Sequence, residues 1–462
     1  MSVAGPALSV GVARAALERN AGRIFAVIAV CGWAILLWMG RGLTFFSDEW
    51  AFIETRSLFD VQTWFAPHNE HWSTVPIVIY RLLMEVVGLR TYVPYLAVLI
   101  GLHVAVAAAV FVLLRRWTGP LAALGGGTLV LFLGSGFENL YWAFQIGFVG
   151  TIAAGLWMVW LLDGPAGSRR AAAVVGLLVV SLATSGLALV FLGIAAILML
   201  MRPDWRRFAP GLLVPLLVYA AWYVLVGNAG LAADRDPLSL ERVLQAPWFV
   251  AEGLENAVGA ITGVGSVLAG IVVVLLLLGL LDAVVRGHRV PAPTIALSAG
   301  LVLEYALIAL TRAGVTFGQS DYTRYTYLGA ILVLLAIAAM AGSLPMPSVR
   351  WRRQAIFVGA TLVLELAIVL NVQLLVAGRD FFLVRAQFTR ALIAEAVTHD
   401  GSDGVDLARS LVAVPSPDSI RQIGARYGLP TSDALVPGDV TQAPDWIQRL
   451  ATLRFQGFPV GP

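Results

Sequence analysis

The sequence predicts an all-α polytopic membrane protein, and three observations carry that prediction. Of 462 residues, 59% are hydrophobic and 13% charged, whereas soluble domains carry roughly 25% charged residues. Apolar runs near the length needed to cross a bilayer, about 20 residues, recur along the chain as far as residue 376. The basic residues, all of them Arg, punctuate these runs instead of clustering on one soluble face. The net charge of +3 therefore gives no reason to expect a nucleic-acid partner. The single cysteine, Cys31, lies inside the first apolar run, which excludes an intrachain disulfide and any Cys-based metal motif.

The first run, residues 23–40, follows Arg14, Arg19 and Arg23. It is too long for a signal-peptide core and lacks a small-residue cleavage site, so it reads as a retained span after a cytoplasmic segment, 1–22. Further spans are expected near 92–114, 119–135, 146–162, 171–184, 186–201, 209–226, 262–285, 292–311, 328–344 and 355–376. That makes about eleven transmembrane helices. Segment 73–88 is apolar for only about 16 residues. It also carries Pro76 and an Arg81/Glu85 pair at helical i,i+4 spacing.

If 73–88 crossed the membrane, the sidedness of everything downstream would invert. The positive-inside rule decides against it. With 73–88 at the interface, one set of turns holds Arg115–Arg116, Arg169–Arg170, Arg202/Arg206/Arg207, Arg286/Arg289 and Arg350/Arg352/Arg353. The opposing turns at 134–145 and 184–186 hold none, and those at 227–260 and 312–327 hold two each. The expected protein is a multi-pass cell-membrane protein with a cytoplasmic N-terminus. A transmembrane module spans 23–376 and has interfacial helices in its first outer loop, 41–91. A small extracytoplasmic C-terminal domain covers 377–462, with helices at 380–397 and 418–428 and a short strand at 411–417.

The polar residues fall on one side. Asp48, Glu49, Glu54, Asp60, His68, Glu70, His71, Glu138, Asp321 and Arg324 all lie at the outer ends of spans or just beyond. A lipid or polysaccharide transporter or flippase would place ionisable residues near the midplane and show pseudo-repeated halves. Few lie there in this chain, namely His103, Glu304 and Glu365, and each glutamate is expected to be satisfied inside the bundle or to line a lipid groove. A one-sided interfacial constellation suits a membrane-embedded enzyme whose substrate has a lipid part and a water-exposed head.

Asp48 and Glu49 are the candidate catalytic carboxylates. One carboxylate at the membrane edge can take the proton of an acceptor hydroxyl; the bland alternative is a pair that caps the helix beginning near Trp50. His68, Glu70 and His71 offer nitrogen and oxygen donors suited to a divalent metal ion, with His68 and His71 as its ligands. HxxH spacing puts both rings on one face only in a helix, which Pro67 could start. Without a metal, the same three residues would contact the acceptor. In "GSGFENLYWAFQIG" (134–147), Glu138, Trp142 and Gln145 could form a saccharide subsite or simply belong to an aromatic belt. In "GQSDYTRYTYLG" (318–329), Arg324, beside Tyr325, has the planar fork that suits a phosphate. Its bland alternative is a surface pair with Asp321, and Arg312 is a second phosphate candidate.

The order of these parts resembles the GT-C membrane glycosyltransferases, in their protein O-mannosyltransferase and aminoarabinose-transferase branch. A first span is followed by the acidic pair Asp48–Glu49, interfacial helices, and "HNEHWSTVP" leading into "IVIYRLLMEVVGLRTYVPYLAVLIGLHVAVAAAVFVLLRRWTG". The likeness covers about residues 23–165, with support from Arg324–Tyr325 opening a late span; nothing in the tail matches. "HNEHWSTVP" stands where a His-Pro-Pro-like element is common. The resemblance implies a GT-C-like bundle in which the acidic pair supplies the base. It further implies a polyprenyl-phosphate sugar donor and inverting transfer to an extracytoplasmic glycan, lipid or protein. A glycan ligase or polymerase using diphosphate-linked donors would want more outer-face Arg than Arg312 and Arg324.

Overall fold

The computed structural model describes residues 5–68, 71–165, 167–230, 239–311, 320–398 and 415–430. Among them the helices in chain order are α1 (Gly5–Met39), α2 (Glu49–Thr55), α3 (Val61–Phe65), α4 (Thr74–Val87), α5 (Val93–Trp117) and α6 (Pro120–Leu131). Next come α7 (Glu138–Tyr141), α8 (Ile146–Leu162), α9 (Ser168–Leu182), α10 (Ala188–Leu200), α11 (Ala209–Leu225) and α12 (Leu240–Thr262). The last are α13 (Ser266–Val285), α14 (Ala292–Thr311), α15 (Thr323–Ser343), α16 (Arg350–Thr398) and α17 (Pro417–Tyr427). No strand occurs among the described residues. Eight helices are long and apolar enough to cross a membrane, and two shorter apolar helices, Pro120–Gly136 and Ala188–Leu200, lie among them. The protein is an all-α polytopic membrane protein.

Every expected span is helical, and one long helix was not expected. The 23-residue α12 occupies most of the segment read as an outer turn, 227–260. Its Glu241, Arg242, Glu252 and Glu255 lower its hydropathy, and Pro247 lies inside it. It forms because Ser239 caps its start, accepting from the Arg242 N–H at 3.2 Å, and Gly263 ends it at φ 75°. Phe249, Ala257, Val258 and Ile261 on its apolar face are buried, and the helix packs on α14 and α15.

Helix α4 does not cross the bundle. Its 14 residues rise about 21 Å, short of a bilayer core of about 30 Å. The Val75 N–H donates to Ala183 O at 3.0 Å, in the turn between α9 and α10. At the other end, Gly88 O accepts from the Tyr95 hydroxyl at 3.1 Å, in the first turn of α5. Both contacts lie at one end of the bundle, so α4 runs along that end as an interfacial helix.

Helix α16 is 49 residues long and runs without a break through residue 377, where the tail was expected to begin as a separate unit. The helix expected at 380–397 is its continuation. The one expected at 418–428 is α17, and the expected strand at 411–417 lies mostly outside the described residues. Within the spans, His103 is satisfied by the Tyr327 hydroxyl at 2.7 Å and Leu131 O at 3.0 Å. The two glutamates differ. Glu304 is buried and its Oε2 has no hydrogen-bond partner, whereas Glu365 is exposed on α16.

Candidate active site

Four parts of the chain meet at one end of the bundle: the loop after α1, the turn before α8, the start of α15 and the distal half of α16. The loop after α1 reaches Asp48 through Ser47, the one non-glycine residue with positive φ (52°) among the described residues. A left-handed serine costs backbone energy and persists only where the surroundings hold it, which is common at functional sites. Asp48 is half-buried, and its Oδ1 accepts from the Ser47 hydroxyl at 3.4 Å. As N-cap of α2 it makes no side-chain cap bond, so the capping alternative does not account for its carboxylate.

Glu49 differs from its neighbour. It is fully buried, and its carboxyl accepts from the Phe46 N–H at 2.6 Å, the Tyr92 hydroxyl at 2.9 Å and the Tyr80 hydroxyl. Tyr92 in turn accepts from the Ala143 N–H at 2.6 Å. Glu49 thereby ties α2 to α4, α5 and the turn before α8. Burial pushes its carboxyl up to about 8. The phenols of Tyr80 and Tyr92 are held well above their ordinary range by burial and then by Glu49, so they stay protonated donors.

Folding raises the proton affinity of Glu49. Its contribution to stability is therefore fully present below the ordinary carboxylate range and is lost as pH rises through about 8. Ionising it also sets a second negative charge beside Asp48. The unfolding midpoint of the wild type is expected to fall as pH rises from about 4.5 to about 8 and to level off above that. Glu49→Gln, which cannot ionise, should be less stable than wild type but lack that slope. Equal slopes in the two proteins would show that Glu49 does not carry it.

Glu138 and Arg324 come together across the bundle. The start of α15 has no side-chain cap of its own. Glu138 Oε2 supplies one, accepting from the Thr323 hydroxyl at 2.9 Å and the Arg324 N–H at 3.1 Å. The Arg324 guanidinium lies 3.7 Å from Glu138 Oε1 and within Coulombic range of Asp48. Its planar face sits 4.9 Å from the Tyr322 ring and 5.1 Å from the Tyr325 ring. The alternative of a surface Asp321–Arg324 pair is not what the structure shows: Glu138 is the partner, and Asp321 is exposed. Arg312 lies outside the described residues.

The aromatic residues form the floor. The Trp142 indole donates to Phe46 O at 3.0 Å, and its ring meets Phe46 at 5.7 Å and Phe144 at 5.1 Å. Gln145 is buried, and its Oε1 has no hydrogen-bond partner. His68 is buried against Phe52 and Phe144, at 4.8 and 5.2 Å between ring centroids. His71 lies against Phe148 at 5.9 Å. The segment is not the helix that would align both rings. His68 and His71 instead exchange backbone hydrogen bonds of 3.1 and 3.0 Å across a tight turn. Arg56 shapes the approach to that turn by donating to Thr63 O, Ala66 O and Pro67 O at 3.1, 3.2 and 2.7 Å. Glu70 lies outside the described residues. Among the described residues no three His, Cys, Asp or Glu side chains converge as a metal site. The pair by itself supplies two nitrogens.

Two contributors escaped the sequence. Arg385, on α16, lies 5.9 Å from the Phe46 ring and within Coulombic range of Glu138. Its setting, "RDFFLVRAQF", shares with Arg324 an Arg beside aromatics at a span end, a signal hidden by ending that span at 376. Asn371, buried within α16, accepts from the Ser135 N–H at 3.0 Å and donates to Ile261 O at 3.4 Å. It fixes the turn that carries Glu138 to both α16 and α12.

Comparison with known protein families and with curated proteins gives no match. Among solved structures, the chain is similar to the crystal structure of ArnT from Cupriavidus metallidurans bound to undecaprenyl phosphate. The TM-score is 0.51 at 15% identity, covering 86% of this chain and 84% of that one. At this identity the likeness is one of fold, and it agrees with the GT-C-like bundle that the sequence resemblance implied.

Proposed function

We propose that the protein is a membrane glycosyltransferase that moves a sugar from a polyprenyl-phosphate carrier to a hydroxyl acceptor on the outer face. The observation that carries this reading is the juxtaposition of a half-buried carboxylate, Asp48, with a stacked guanidinium, Arg324, at one end of a GT-C-like bundle. Asp48 takes the proton as the acceptor O–H bond breaks. The acceptor oxygen bonds the anomeric carbon, and the carbon–oxygen bond to phosphate breaks with its electron pair leaving on the phosphate. Attack opposite the leaving group inverts the anomeric centre. Arg324 and Arg385 offset the charge of the departing phosphate. Trp142 and Gln145 suit the sugar, and His68, His71 and Glu70 suit the acceptor. Glu49 holds Asp48 in place and is the weaker candidate for the base.

The acceptor is a glycan, lipid or protein. A donor linked through a diphosphate is the second reading, favoured by the two arginines on α16, Arg379 and Arg385, that the structure adds at this end. Arg379 is partly committed, donating to Met39 O at 2.8 Å and pairing with Asp380 at 3.2 Å.

The reading needs the N-terminus inside and the site outside, and topology tests that. With Cys31 replaced, a cysteine at Ser168 should label only from the inside and one at Ser416 only from the outside. Labelling of Ser168→Cys from outside would place the site on the wrong face for a translocated lipid donor.

A further inference from the structure

Helix α2 has 7 residues and little stability of its own, yet it begins one residue after Asp48. Helix α4 grips it at both ends. Tyr80 donates to Glu49 at the start of α2, and the adjacent Arg81 donates to Ile53 O, an orphan carbonyl of its last turn, at 3.1 Å. Arg81 is buried at 4% exposure, so its fork must be held by protein groups. The C-terminal helix α17 supplies one of them.

Arg81 Nη2 donates to the Tyr427 hydroxyl at 2.7 Å, and that hydroxyl donates to Glu85 Oε1 at 2.8 Å. Glu85 also lies 3.4 Å from Arg81 and from Arg426. The backbones are locked as well: the Leu89 N–H donates to Tyr427 O at 2.9 Å. Gly88, at φ 69°, allows that approach, since a Cβ there would come within 2.4 Å of Tyr427 O. On its other side α17 packs on α16, the helix that carries Arg385.

We infer that α17 is part of the machinery that positions Asp48, with Tyr427 as a positioning residue acting through Arg81 on α2. The inference rests on the reading of Asp48 as the base, and it gives the C-terminal segment a task in turnover. Hydrogen–deuterium exchange and kinetics on the full chain test it in Tyr427→Phe and Tyr427→Ala. Phe keeps the ring against Arg81 and loses the hydroxyl; Ala loses both.

Amides of Ala51–Thr55 should exchange about ten-fold faster or more, because a hydrogen bond to a charged group is lost, while α5 amides and the unfolding midpoint stay unchanged. With a polyprenyl-phosphate sugar, kcat should fall about 10- to 100-fold with donor KM unchanged, the signature of misplacement. Unchanged exchange at α2 in both variants overturns the inference, as does a change in donor KM with kcat intact. A wild type inactive with such donors overturns the glycosyltransferase reading and leaves the exchange result to decide the role of α17.

Discussion

Asp48→Asn is expected to lower turnover by about 10²–10⁴, the usual share of general base catalysis. The substitution keeps the size of the side chain and most of its hydrogen bonding, but an amide cannot take a proton. Two features of the structure sharpen the expectation. Asp48 is half-buried beside a strained serine, and its side chain makes no helix-cap bond. Glu49 beside it is buried under three hydrogen bonds and kept protonated near neutral pH, which makes it the weaker candidate for the base. Donor binding should change little, because the base acts on the acceptor hydroxyl. Glu49→Gln should act through the fold instead.

Arg324→Lys is expected to weaken donor binding by about one to two decades, the loss of a charge-assisted hydrogen bond worth roughly 1.5–3 kcal/mol. Lys keeps the charge but loses the planar fork that matches phosphate and the flat face between Tyr322 and Tyr325. Turnover should fall as well, since the same guanidinium offsets the charge of the leaving phosphate. The partner side chain is not the target: Glu138 is anchored by the Thr323 hydroxyl and the Arg324 N–H, and Lys keeps both. A loss confined to binding, with turnover at saturation unchanged, would reduce Arg324 to a docking contact.

Eight of the eleven expected spans are helices long and apolar enough to cross a membrane, legible because lipid demands such helices; the other three, α6, α9 and α10, are shorter helices. Segment 73–88 was set apart in the sequence by its short apolar run and by the Arg distribution, and in the structure Val75 and Gly88, at the two ends of α4, both make contacts at one end of the bundle. Helix α12 was not legible, because four charged residues hide a helix that packs on its neighbours instead of facing lipid. At the site, the sequence found the residue types and could not find their partners. Asp321 looked like the mate of Arg324, but the cap needed by α15 is filled by Glu138 from a turn 186 residues away in sequence. Asp48 stood ahead of Glu49 as the candidate base, and in the structure burial separates the two. The Arg81–Tyr427 link depends on which helices meet, which no local pattern encodes, whereas the local signal of Arg385 was hidden by ending the last span at 376.

The central claim is a division of labour between a base and a phosphate ligand, and one paired measurement tests it most directly. Transfer from a polyprenyl-phosphate sugar and binding of a polyprenyl phosphate are measured on the same preparations of wild type, Asp48→Asn and Arg324→Lys. The account predicts that Asp48→Asn binds the lipid phosphate almost as wild type does while transfer collapses, and that Arg324→Lys loses both. Transfer at the wild-type rate by Asp48→Asn, or normal lipid-phosphate binding by Arg324→Lys, would contradict it.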